Sequence, residues 1–231
     1  MNKEKAIRSS IKKYFLRPFI LLLFLNLTGY QAILQAQTQT VQENKADEFY
    51  SPQLLNSERI KMKFGSYGID VLKASPELRI SNLHSLNKGQ KTTRTFAVVQ
   101  YPKTVNKAYS KEHQIIVDGG SIGQVFKEAN WKITKRNLFF GTLPASSLYQ
   151  KVYDLMGLKT PNELAIRIYQ FQISKNDLSY SYATISEIHH PAYLNFNDLT
   201  KINSKAKEYT SKVQVKDLLQ FLPRTIEELE Q

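Results

Sequence analysis

Residues 163–188 read ELAIRIYQFQISKNDLSYSYATISEI, and this stretch decides the fold. Leu164, Ile166 and Ile168 fall on alternate positions, as do Tyr180 and Tyr182 beyond Lys175-Asn176-Asp177. Alternation of large β-formers on both sides of a short polar turn is the pattern of a β-hairpin. The strands are predicted over 163–174 and 179–188. Residues 77–101, ELRISNLHSLNKGQKTTRTFAVVQY, carry the same pattern around Asn87-Lys88-Gly89-Gln90, which predicts strands over 78–86 and 92–101.

The two hairpins align without a gap at an offset of 86. Glu77-Leu78 meets Glu163-Leu164, Ile80 meets Ile166, Phe96 meets Tyr182, Ala97 meets Ala183, and Val99 meets Ile185. Each hairpin also follows a short helix and a strand, with Ile60, Phe64 and Ile69 in the first copy matching Ile122, Phe126 and Ile133 in the second. Ser57 can cap a helix over 58–64 that Gly65 closes, and Ser121 can cap one reaching about 129. Strands are predicted over 68–72 and over 131–140, the latter ended by Gly141. The second copy has an inserted helix between 143 and 161, with Leu148, Val152, Leu155 and Met156 on one face. Two helix–strand–hairpin repeats, 57–102 and 118–191, predict an α+β domain: a six-stranded antiparallel sheet with helices on one face. The domain is expected over 57–200, followed by a helical tail over 201–231.

Upstream, the chain has the three parts of an export signal. Lys3, Lys5, Arg8, Lys12, Lys13 and Arg17 precede the apolar run FILLLFLNL at 19–27, and a less apolar stretch ends at Ala36. Asn26, Thr28, Gln31 and Gln35 interrupt the run, whereas a spanning helix needs about 20 mostly apolar residues. Cleavage after residue 36 is therefore expected, with export to the periplasm or the medium. Residues 37–56, rich in Gln, Thr, Asn and Glu, read as a flexible linker.

The whole chain carries +12, and its first 36 residues account for +5, leaving +7. The basic residues are scattered, so the surface suits an anionic cell envelope rather than a nucleic-acid partner. With no cysteine in the chain, disulfides, thiolate catalysis and Cys-ligated zinc are excluded. No cofactor is implied, and the oligomeric state is not legible.

His and carboxylate side chains cluster at Glu112-His113 and at Glu187-Ile188-His189-His190. Glu187 and His189 share a strand face and, with His113, are candidates for acid–base chemistry or a two-histidine, one-carboxylate zinc site. No zincin motif is present, so a metal is not assigned. The start Asp118-Gly119-Gly120-Ser121-Ile122 offers amides and a hydroxyl that favour an anion, although it lacks the Gly-Lys-Ser/Thr of a phosphate loop. Tyr169, Tyr180 and Tyr182 either line a cavity or form a sheet face.

The layout resembles the chorismate lyase-like fold, which also contains the ligand-binding domains of some bacterial transcription regulators. Asp118-Gly119-Gly120-Ser121-Ile122 is similar to that family's Asp-Gly-Ser-Leu-Thr helix start, and 163–188 to its strand, turn and strand ending Ala-Arg-Ser-Val-Ile-Pro. The resemblance covers about two thirds of the chain after residue 36. It implies a buried site for a small anionic or aromatic ligand. Arg167 is the counterpart of a family arginine. Arg94, Gly120, Ser121, Tyr169 and Tyr182 are the other candidate contacts. The family's glutamate would fall in RTFAVVQY at 94–101, which has no carboxylate, so lyase activity is not expected. The expected function is an exported small-ligand binder; the alternatives are a structural or interaction protein of the envelope, and a His/Glu or zinc enzyme.

Overall fold

The computed structural model describes residues 47–160, 162–204, 219, 221–226 and 229. The export signal, most of the linker and most of the tail lie outside them. Residues 49 onward form one compact unit.

The first repeat is α1 (Asn56–Phe64), β1 (Gly68–Ala74), β2 (Leu78–Asn87) and β3 (Gln90–Gln100). Then come α2 (Ser110–Val117) and the second repeat: α3 (Ile122–Glu128), β4 (Lys132–Leu143), β5 (Leu164–Lys175) and β6 (Leu178–His189). The insertion between β4 and β5 contains α4 (Gln150–Met156), and α5 (Phe196–Asn203) follows β6. The six strands make one antiparallel sheet in the order β1-β2-β3-β6-β5-β4. The α+β fold and its two repeats are therefore present.

The hairpin turns explain the pairing. Lys88-Gly89 and Asn176-Asp177 all have positive φ, between 48° and 82°. Two-residue turns of that hand match the right-handed twist of paired strands. Each hairpin also has one bulge: Arg94 is the extra residue of β3, between Leu83↔Thr95 and His84↔Thr93. Tyr182 is the extra residue of β6, between Phe171↔Ala183 and Gln172↔Ser181. Turns and bulges thus repeat at an offset of 88, not 86. Ala97 and Ala183 are not equivalent; Ala97 corresponds to Ile185. A slip of two residues leaves every side chain on its face, so alternation alone could not distinguish the two registers.

The same symmetry reaches the preceding elements at an offset of 66. Leu72 is the bulge of β1 and Leu138 that of β4; α1 starts at Asn56 and α3 at Ile122. Ile60 therefore corresponds to Phe126, and Ile69 to Lys135. The step from 66 to 88 is the inserted segment. Across the centre, Val98 pairs with Ser186, residues that are themselves 88 apart. A pseudo-twofold axis passes through that pair.

The repeat helices α1 and α3, with α2 and α5, cover one face of the sheet. The inserted α4 covers the opposite face, where Val152, Tyr153 and Met156 pack on Ile80, Phe96, Val98, Ile166, Ile168 and Ile188 with Leu222 and Ile226. α1 begins two residues earlier than Ser57 capping predicts: Leu55 is the N-cap residue, and Glu58 accepts its backbone N–H. β4 runs on through Gly141, where a Cβ would lie 2.6 Å from the Phe139 ring; this glycine makes room for a neighbour on its own strand rather than ending it.

Gly68 pairs with buried His84, and a Cβ there would meet the imidazole Nε2 at 2.4 Å. Gly68→Ala should cost about 1–3 kcal/mol, as overpacking does. Urea unfolding should show a lower midpoint at unchanged slope.

A candidate anion chamber on the pseudo-twofold axis

A cavity of about 60 Å³ lies between the sheet and the starts of α1 and α3. Its walls come in symmetry-related pairs: Leu55 with Ser121, Ile69 with Lys135, Ser81 with Tyr169, Leu83 with Phe171, Ala97 with Ile185, and Val99 with Glu187. The repeat therefore builds the cavity, and divergence of the two copies gives it polarity.

Arg79, 1% exposed, forms part of the wall. Its Nε donates to Ser81 Oγ at 2.9 Å, and its Nη1 to the carbonyls of Ile116 and Gly120 at 2.7 and 2.8 Å. Its Nη2 makes no well-formed hydrogen bond, and neither does the buried hydroxyl of Tyr101, but the two lie close together: the guanidinium opposes the rise in the Tyr101 pKa that burial causes. A buried unpaired donor is rare and commonly marks the place of a water or an ion.

Lys135 enters from the other copy. Its Nζ donates to the Leu54 carbonyl at 2.9 Å and lies 5.6 Å from the Tyr169 ring centre. Burial, reinforced by the Arg167 charge, pulls its pKa down to about 7. Glu187 is the carboxylate of the wall; it accepts from Asn56 Nδ2 at 3.0 Å and from the Tyr169 hydroxyl at 3.1 Å. Asn56 Nδ2 also donates to Thr95 Oγ1, which contacts His189 Nδ1 at 3.1 Å. Asn56 Oδ1 accepts from the Tyr193 hydroxyl.

Among the described residues Arg59, Arg79 and Arg167 are almost fully buried, and Glu187 is the carboxylate buried with them. Arg59 donates to the Phe49 and Ser51 carbonyls, and Arg167 to Asn137 Oδ1 at 3.4 Å with its guanidinium 5.0 Å from the Tyr169 ring centre. Carbonyl and amide oxygens satisfy these donors but do not cancel their charge.

Of the residues singled out in the sequence, Ser121, Tyr169 and Glu187 line the cavity. Arg167 is buried beside Tyr169 but is not part of the wall. Arg94 lies elsewhere, its guanidinium 3.8 Å above the Phe64 ring and its Nε on Ser85. The amide of Gly120 is already bonded to the Ile115 carbonyl, so it is not free for an anion. Tyr182 belongs to an aromatic cluster with Tyr101, Tyr109, Phe126 and Phe171, and its hydroxyl meets His113 Nδ1 at 3.0 Å. Glu112 accepts from Trp131 Nε1. His113 is thus engaged at the aromatic cluster, whereas His189 contacts Thr95 and Tyr193. Among the described residues no three His, Cys, Asp or Glu side chains gather closely enough to hold a metal ion.

Arg79, Lys135 and Asn56 are the cavity groups that sequence reading missed. Arg79 is 88 residues before Arg167, so it is that arginine's symmetry mate. The offset of 86 pairs Arg167 with Ser81 and hides it.

No protein-family model matches the chain, and no curated protein does. Among solved structures, the chain is similar to the C-terminal domain of Yurk from Bacillus subtilis. The identity is 16% over 57% of this chain and 92% of that one, with a TM-score of 0.32.

Burial, then the charges of Arg59, Arg167 and Lys135, drive the His189 pKa down to about 3. The imidazole is neutral when folded, and the unfolded chain takes up the proton first. The stability it supports is complete above the unfolded value of 6.5 and is lost as pH falls towards about 3. His189→Asn should flatten the acid limb of a stability–pH profile in that window. An unaltered slope would mean that other groups carry it.

Proposed function

We propose that this is an exported protein that binds a small carboxylate in the chamber on its pseudo-twofold axis. The observation that carries the reading is the buried charge balance: Arg79 and Lys135 line a cavity whose wall supplies one carboxylate, Glu187, while Arg59 and Arg167 are buried behind that wall. An uncompensated cation in a low-dielectric interior is costly, and an anionic ligand offsets that cost. The Nη2 of Arg79 makes no well-formed hydrogen bond, which leaves donor capacity at the chamber wall. Size selects among anions. A cavity of about 60 Å³ suits a compact acid, being well below the roughly 150 Å³ of a cavity that takes in benzene.

The family resemblance supports the same reading: we take the domain to be chorismate lyase-like in layout and to bind rather than cleave. The β3 segment 94–101 lacks the family's carboxylate, and Glu187 stands on β6. Export is supported by the basic segment and the apolar run before residue 36. N-terminal sequencing of protein recovered from the envelope should start near Gln37; a product retaining Lys3 would contradict processing.

Acetate and related short carboxylates should raise the melting temperature, because they bind only the folded chain. Arg79→Met and Lys135→Met should each weaken binding by ten-fold or more, as loss of a charge-assisted contact does. Affinity should also fall as pH rises through about 7, where Lys135 loses its proton. Titration calorimetry across that range checks both. No acid binding anywhere in the range would remove the proposal.

A further inference from the structure

An outer groove of about 480 Å³ adjoins the chamber, lined by Leu55, Ser57, Glu58, Lys61, Ser66, Tyr67, Gln124 and Lys127. Leu55, Ser57 and Tyr67 belong to both walls. These three residues form the partition between the two spaces. A Cβ on Gly123 would meet both Leu55 δ carbons at 2.7 Å, so α1 and α3 approach closely there with the leucine between them. On the other side the Tyr67 hydroxyl reaches Ser121 Oγ across 3.4 Å. That is a long bond, worth little to the fold.

The groove repeats the charge imbalance of the chamber. Lys61 on α1 and Lys127 on α3 are symmetry mates, 66 residues apart, and both line it. Glu58 is the carboxylate between them and pairs with Lys127. Its own mate is Gln124, which donates to Glu128 instead. Lys61 is exposed and has no ion pair among the described residues. Two cationic compartments, with Leu55 and Tyr67 between them, match a molecule with an acid at each end.

We infer, building on the small-carboxylate reading above, that the ligand is an extended dianion of the dicarboxylate class. One carboxylate occupies the chamber at Arg79 and Lys135, a short chain passes Leu55 and Tyr67, and the second acid meets Lys61 and Lys127. The apolar neck disfavours charge in the middle of the chain, so the two acids must be terminal.

Calorimetric titration of the purified chain with glutarate and with pentanoate, its equivalent lacking one acid, tests this. Glutarate should bind about ten-fold more tightly, the worth of one charge-assisted contact at the rim. Lys61→Ala should reduce the glutarate-to-pentanoate ratio several-fold, and added salt should reduce it as well, because the outer lysines are exposed. Arg79→Met should weaken both acids together. Equal affinities for the two acids, or a ratio indifferent to Lys61→Ala, would overturn the dianion inference while leaving the chamber reading intact. Failure of both acids to bind would remove the two together.

Discussion

Antiparallel pairing of β3 with β6 is the constraint on which the rest of the structure depends. Thr95–Gln100 pairs with His189–Thr184, and Val98 opposite Ser186 sets the axis. That register brings the inward residues of two separate hairpins, Ala97 and Val99 from one and Ile185 and Glu187 from the other, to the same place under α1 and α3. Slipping the pairing by one residue would turn all of them to the opposite face. The bulges at Leu72, Arg94, Leu138 and Tyr182 recur in both copies at fixed offsets. They belong to the fold rather than to either hairpin.

A shared backbone frame with diverged side chains explains how the chamber acquires its charge. A strictly symmetric cavity on this axis would present each residue twice. Here Lys135 replaces the counterpart of Ile69, and Glu187 that of Val99, so both new charges enter from the second copy. An arginine is present in both copies, yet the two are satisfied differently: Arg79 by the backbone carbonyls of Ile116, in the last turn of α2, and of Gly120, Arg167 by Asn137. Arg79 therefore does two things. It ties the loop before α3 to the sheet and leaves one nitrogen over. Glu187 is held by Asn56 and Tyr169, which fix its position without cancelling the excess positive charge.

Much of this was legible in the sequence. Alternation at 78–86 and 163–174 locates the strands, Lys88-Gly89 and Asn176-Asp177 locate the turns, and the likeness of the hairpins implies one sheet. The register between copies was not legible from alternation, because a two-residue slip conserves every face. The positive-φ turns and the bulges decide it, and a bulge residue such as Arg94 or Tyr182 has no sequence mark of its own. The site was legible in part for the same reason. Tyr169, Ser121 and Glu187 could be found from strand faces and a helix start. Arg79 needed the correct offset, and Lys135 sits at a position that reads as an ordinary strand lysine. Asn56, the last residue of the stretch that reads as a flexible linker, instead opens α1 and is buried, because α1 packs it against Thr95 and Glu187.

A small carboxylate held between Arg79 and Lys135 is the proposal on which the functional reading stands. Crystals soaked in acetate, set beside unsoaked crystals, put it to the test, because acetate does not react with the Lys135 amine. Difference density for a carboxylate is expected inside the chamber bounded by Leu83, Ala97, Phe171 and Ile185, with its oxygens on Arg79, and it should be lost in crystals of Arg79→Met. A chamber that stays empty or closed in the wild-type protein at saturating acetate would rule the proposal out.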